Sequence, residues 1–135
     1  MLNTCANKFA KFLEEKGLHF DTNTTNTGRS VVSFPYDGKV ARIFFGGEEG
    51  TYMSIYLVFE SVPEEKTMDL LVVCNELNNK YKWVKFYLDD ENDLVLEDDA
   101  ILTVATAPDE VFELMIRMFE IEKEVKPQIM KAIYA

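Results

Sequence analysis

No other dipeptide in this chain limits the possible folds as tightly as Asp37-Gly38, which separates two runs of alternating residues, Val31 to Tyr36 and Lys39 to Phe45. Aspartate and glycine tolerate the positive backbone angles of a two-residue turn, whose twist matches the strands it joins. The two runs therefore pair antiparallel. With Tyr36 opposite Lys39, the residues Val32, Phe34, Ala41, Ile43 and Phe45 share one face, the candidate core, because side chains alternate along a strand. The turn Gly46-Gly47-Glu48-Glu49-Gly50 leads into a third run, Thr51 to Phe59, where Met53, Ile55, Leu57 and Phe59 alternate with Tyr52, Ser54, Tyr56 and Val58. Both faces of that run are rather apolar.

Helical spacing frames these strands. Leu2, Cys5, Ala6, Phe9, Phe12 and Leu13 recur at the helical period, and Gly17 stands where a left-handed residue ends a helix. The Thr- and Asn-rich stretch Asp21 to Arg29 has no periodicity and reads as a loop or weak edge strand. Ser61 is placed to cap a second helix through Pro63, Glu64 and Glu65 to about Asn79, burying Leu70, Val73, Cys74 and Leu77. A second hairpin follows, with Val84, Phe86 and Leu88 alternating against Trp83, Lys85 and Tyr87 before the acidic turn Asp89 to Asp93, and Leu94 and Leu96 beyond it. Thr106, Pro108, Asp109 and Glu110 open a last helix carrying Val111, Leu114, Met115, Met118, Ile121, Val125 and Ile129, which Pro127 is expected to kink or end. The expected class is α+β, an antiparallel sheet packed with helices in the order α-β-β-β-(β)-α-β-β-α.

Composition narrows the function classes. A chain of 135 residues suits one domain spanning 1–135, and 47% hydrophobic residues supply its core. No apolar run is long enough for a bilayer and no signal-peptide pattern opens the chain, so a cytoplasmic location is expected. Cys5 and Cys74 fall at apolar helix positions and read as small buried hydrophobes. The formal net charge of −10 disfavours nucleic acid and anionic membranes as partners.

Chemistry-bearing constellations are scarce. His19 is the only histidine, so neither a histidine-activated nucleophile nor a multi-histidine metal site is in reach. The Gly46 to Gly50 segment lacks the Lys-Ser/Thr ending of a phosphate loop and reads as a hairpin turn. In the acidic turn, Asp89, Asp90, Glu91 and Asp93 offer oxygens to calcium. Counting from Asp89, however, Leu94 stands where a calcium loop needs glycine and Ala100 where it needs glutamate. Neither catalytic residues nor a cofactor or metal site is expected. The more suggestive group is Tyr52, Tyr56, Trp83 and Tyr87, which meet on the second face of the sheet if both hairpins lie in one sheet. Aromatic rings with polar tips suit protein interfaces. A stacking platform for RNA needs accompanying basic residues, whereas 24 acidic residues here face 14 basic ones.

From Met68 to Asp99 the chain carries Asn75, Glu76, Leu77 and Asn78, then Trp83, Phe86, Tyr87, Leu88 and Asp89, then Leu94, Leu96 and Glu97. In this order it resembles the YbjN-type domain family: a helix ending in asparagine-containing turns, an aromatic strand, an acidic turn and a hydrophobic strand. Asn92 and Asp93 stand where the family often has glycine. The resemblance implies a bacterial α/β sandwich like the type III secretion chaperones, frequently dimeric, that holds or regulates other proteins without a cofactor.

The leading expectation is a non-catalytic, homodimeric protein-binding module, chaperone-like or regulatory, whose protein partner the residues do not identify. The alternative is a small-molecule or carbohydrate binding domain, or a weak acid/base enzyme, built on the acidic turn with Tyr87 or Trp83. Titration calorimetry with calcium separates one branch of that alternative: no micromolar binding is expected, and a clear heat would make the turn a metal site.

Overall fold

The computed structural model describes all residues, Met1–Ala135. In chain order the elements are α1 (Thr4–Glu15), β1 (Asp21–Thr24), β2 (Ser30–Tyr36), β3 (Lys39–Gly46), β4 (Tyr52–Ser61), α2 (Thr67–Lys80), β5 (Lys85–Leu88), β6 (Asp93–Ile101) and α3 (Ala107–Tyr134). The strands form one six-stranded antiparallel sheet in the order β1-β2-β3-β4-β6-β5. The fold class is α+β, and the Thr/Asn-rich stretch supplies the edge strand β1.

The Asp37-Gly38 turn has φ values of 51° and 72°, and Tyr36 pairs with Lys39. This register sends Val32, Ala41, Ile43 and Phe45 to one side, where β4 adds Met53, Ile55, Leu57 and Phe59 and β6 adds Leu94 and Leu96. The buried stripes of all three helices close over that side, among them Phe9 and Leu13 of α1, Leu70 and Leu77 of α2, and Val111, Met118 and Ile129 of α3. Each such side chain contributes roughly 1.5–3 kcal/mol by leaving water. Cys5 and Cys74 are buried and unpaired.

Asparagines tie the helices to the sheet. The Asn3 side chain accepts from Ala6 N at 3.2 Å, capping α1, and donates to Phe45 O at 2.8 Å on β3. The turn between β3 and β4 completes this junction: Glu49 O accepts from Cys5 N at 2.9 Å, and Gly50, at φ 79°, lies so close to Asn3 that a Cβ there would overlap its amide. At the opposite edge, Asn78 near the end of α2 donates to Phe86 O at 2.9 Å and accepts from Phe86 N at 2.8 Å. Its amide thus takes up the outward backbone groups of β5 as another strand would. This occupies the edge at Phe86 and guards it against pairing with a further chain.

Several local expectations need correction. Ser61 does not cap a helix: it ends β4, and its hydroxyl donates to Asp93 Oδ1 at 2.7 Å. A short 3-10 turn, Glu64–Lys66, intervenes before α2. Pro127 does not end α3, which continues to Tyr134 because Ile129 and Ile133 beyond the proline are buried in the core. The core also holds acids that periodicity did not predict. Glu122 of α3 is buried, with Oε2 3.0 Å from Lys39 Nζ, and Lys126 Nζ donates to Asp37 Oδ2 at 2.8 Å, so charge pairs fasten the β2–β3 turn to α3. Hydrogen bonding from Lys126 draws the Asp37 carboxyl down to about 2.

Asp98 is the less stable case. It faces the helix side of the sheet opposite Ile55, is only 8% exposed, and leaves Oδ2 without a hydrogen bond. Burial first, and the charge of Asp99 second, push its carboxyl from 3.8 to about 6. A carboxyl whose pKa is higher folded than unfolded penalises the native state once ionised: the penalty is absent below about pH 4, grows toward pH 6 and persists above it. Asp98→Asn is therefore expected to raise the unfolding free energy by roughly 2 kcal/mol above about pH 6 and to change it little near about pH 4. Urea unfolding at the two pH values checks this; an equal loss of stability at both contradicts it.

Candidate functional site

With every helix on one side, the other face of the sheet is left bare. Alternation places Val40, Arg42 and Phe44 of β3, Tyr52, Ser54, Tyr56 and Val58 of β4, and Val95, Glu97, Asp99 and Ile101 of β6 there. Val40, Tyr52, Val58 and Ile101 are exposed apolar or aromatic side chains on this one surface. Phe44 meets Tyr56 edge-on with ring centroids 5.4 Å apart, and the Arg29 guanidinium lies 4.5 Å over the Phe44 ring.

Polar groups knit the β5–β6 half of the same face. The Tyr87 hydroxyl donates to Glu97 Oε1 at 2.6 Å, while Lys85 Nζ stands 3.6 Å from Oε2. Burial, then the Glu97 hydrogen bond, pushes the Tyr87 phenol upward, so it stays a neutral donor at ordinary pH. Burial likewise raises Glu97, with the Tyr87 bond opposing and Asp99 adding to the rise. Next along the strand, the Ser54 hydroxyl and Asp99 Oδ1 are 2.6 Å apart.

Two shallow depressions cover this face. One, of about 350 Å³, is lined by Arg29, Arg42, Phe44, Tyr56, Val58, Tyr87, Asp89 and Val95. The other, of about 540 Å³, shares Arg29 and includes Tyr52, Ser54, Asp99 and Ile101. Both are open depressions rather than closed pockets, and Arg29 lines each of them.

Of the four aromatic residues expected together, Tyr56 and Tyr87 line the first depression and Tyr52 the second. Trp83 does not join them. Strand β5 begins only at Lys85, and Trp83 has φ 76°, a left-handed conformation that breaks the alternation placing it beside Tyr87. Its ring is 54% exposed and lies 5.7 Å from the Arg117 guanidinium of α3, on the helix side. Arg29, Arg42 and Phe44 are the residues that the sequence reading missed. Alternation in β3 already carried the signal for two of them, since placing Ala41 and Ile43 inside sends Arg42 and Phe44 outside.

The acidic turn has a different task. Asp89 Oδ1 accepts from Glu91 N at 3.0 Å and Asp93 N at 2.9 Å, which closes the turn on itself. Asn92 occupies the left-handed position at φ 61°, and its amide donates to Val62 O at 2.9 Å and Thr67 Oγ1 at 3.0 Å. The turn therefore braces the start of α2, while Asp90 and Glu91 stay exposed. Nowhere do three or more His, Cys, Asp or Glu side chains gather in a way that could hold a metal ion. No helix is long and apolar enough to cross a membrane.

Among curated proteins no sequence matches the chain. Among solved structures, a chain from the crystal structure of the Yersinia pestis type III secretion chaperone SycH in complex with a stable fragment of YscM2 is similar, with a TM-score of 0.55 and 14% identity, covering 90% of this chain and 98% of that one. At that identity the likeness is one of fold, a type III secretion chaperone-like arrangement of sheet and helices. The YbjN family model, described as "Putative bacterial sensory transduction regulator", matches residues 6–124. Since that match spans most of its length, the chain belongs to the YbjN family.

Proposed function

We propose that this chain is a non-catalytic protein-binding module of the cytoplasm, a single domain that acts as a homodimer in a chaperone-like or regulatory role. The observation that carries this reading is the bare face of the sheet. A sheet with one dry side and one aromatic, arginine-bearing side has the composition of an interface, and large apolar side chains clustered in the open commonly mark a docking surface. Tyr52, Tyr56 and Tyr87 are its aromatic anchors, and Trp83 is not among them. The family description and the protein complex formed by the structural neighbour support the same direction. The acidic turn is better read as a structural brace than as a catalytic or sugar-binding centre, because Asp89 is engaged by its own backbone.

The homodimer rests on a second surface. Helix α2 buries Leu70, Cys74 and Leu77, yet turns Met68, Leu71 and Val72 outward at 71%, 44% and 56% exposure. A helix apolar on both sides leaves one stripe to shelter, and a two-fold axis beside α2 brings that stripe against its own copy.

Two measurements test these parts separately. Light scattering is expected to give twice the chain mass of 15.6 kDa, falling to the single-chain mass in a Leu71→Lys, Val72→Glu double variant. A wild-type mass of one chain at every concentration removes the dimer. For the binding face, Tyr52→Ala with Tyr56→Ala is expected to weaken capture of the native partner about tenfold or more, while Trp83→Ala leaves it unchanged. Unaltered capture by the folded double variant contradicts the reading.

A further inference from the structure

We propose that the bare face takes an extended acidic–apolar segment of the partner protein, seated with a carboxylate between Arg29 and Arg42 and an apolar side chain against Phe44, Tyr56 and Val58. This deepens, and rests on, the reading of that face as the partner surface.

Two cations on this face lack an ion-pair partner. Acidic residues outnumber basic ones 24 to 14, so a cation on this surface has many internal carboxylates to choose from. Arg117 finds Glu113 at 3.8 Å. The guanidiniums of Arg29 and Arg42, in contrast, make neither a hydrogen bond nor an ion pair within the chain, and that of Arg29 lies over the Phe44 ring.

The neighbouring acids are already engaged: Glu97 by Tyr87 and Lys85, Asp99 by Ser54, and Asp89 by the amides of Glu91 and Asp93. None of these contacts includes either guanidinium, so both arginines keep their hydrogen-bonding edges available to an acid from another chain. A guanidinium's planar fork matches a carboxylate through two parallel hydrogen bonds. Stacking on Phe44 limits where the Arg29 fork can point before anything binds, while its N–H edge stays free.

Shape selects a segment over a small molecule. The first depression runs from β3 across β4 and β6 to β5, which at about 4.8 Å between strands is roughly 14 Å. An extended peptide of about four residues has that reach. Arg29 also lines the second depression, so a segment longer than a small ligand has further surface to meet at Tyr52 and Ser54. Asp89 at the β5 end sets a direction, because it repels a second acid there.

The test is an NMR titration of the full ¹⁵N-labelled chain with two blocked peptides, one alternating leucine and glutamate, the other leucine and lysine. The leucine–glutamate peptide is expected to shift the amides of Arg42, Phe44, Tyr56 and Val58. Its affinity is expected to fall about tenfold or more in Arg42→Glu, and less in the neutral Arg42→Gln, both folded by their own spectra.

A stronger response to the leucine–lysine peptide, or an unchanged affinity in Arg42→Glu, overturns the charge assignment and leaves the face available to other partners. No response at the face to either peptide also overturns it, and the Tyr52/Tyr56 capture assay then decides the fate of the face itself. Free glutamate binding as tightly as the peptide assigns the site to a small carboxylate instead. A dimer that dissociates in Arg42→Glu assigns the face to a second copy.

Discussion

Strand β4 pairs with β3 on one side and β6 on the other, and its two-residue period divides the molecule into a dry half and a bare half. Met53, Ile55, Leu57 and Phe59 point toward the helices; Tyr52, Ser54, Tyr56 and Val58 point away from them. A register slip of one residue exchanges the two sets, placing a serine and two tyrosines in the core and aliphatic side chains in water. Register is therefore held wherever it can be: by the Asp37-Gly38 turn at one end of β3, by the Gly46–Gly50 turn at the other, and by the acidic turn that starts β6. The bare face is a consequence of this register, since it consists of the strand residues that alternation turns away from the core.

Asparagine does much of the joining. Asn3 links α1 to β3, Asn78 links α2 to β5, and Asn92 links the β5–β6 turn to the start of α2. In each place a side-chain amide satisfies backbone groups that would otherwise be left at a junction between elements, and a primary amide can donate and accept at once. Asn78 shows the value of that pairing most plainly, because both its donor and its acceptor meet Phe86. With β5 occupied at Phe86, the edge left open to another chain is the short, exposed strand β1.

Elements whose identity depends on local periodicity were legible from residues alone: the hairpin and its register, the stripes of α1, α2 and α3, and the left-handed Gly17. The departures came where a distant contact outweighs the local signal. Pro127 breaks one helical bond, but Ile129 and Ile133 are held by the core beyond it. Ser61 has a capping residue's chemistry and spends it on Asp93, 32 positions away. Trp83 fits an alternating pattern until a left-handed backbone turns it toward Arg117. Asp98 follows its strand's alternation faithfully, and it is the residue type that conflicts with the place. Arg29 and Arg42 escape notice for another reason: within a run of residues an arginine reads as ordinary solvated surface, and only the folded positions of the nearby acids reveal that none pairs directly with either.

On the reading proposed above, the bare face, and not the helical layer, grips the partner protein. A photo-reactive amino acid placed at Val58, in the middle of that face, and separately at Glu113, on the exposed side of α3, tests it inside cells. Crosslinks to another chain from position 58 and few from position 113 are predicted. Crosslinks from position 113 alone, with position 58 silent, contradict the account.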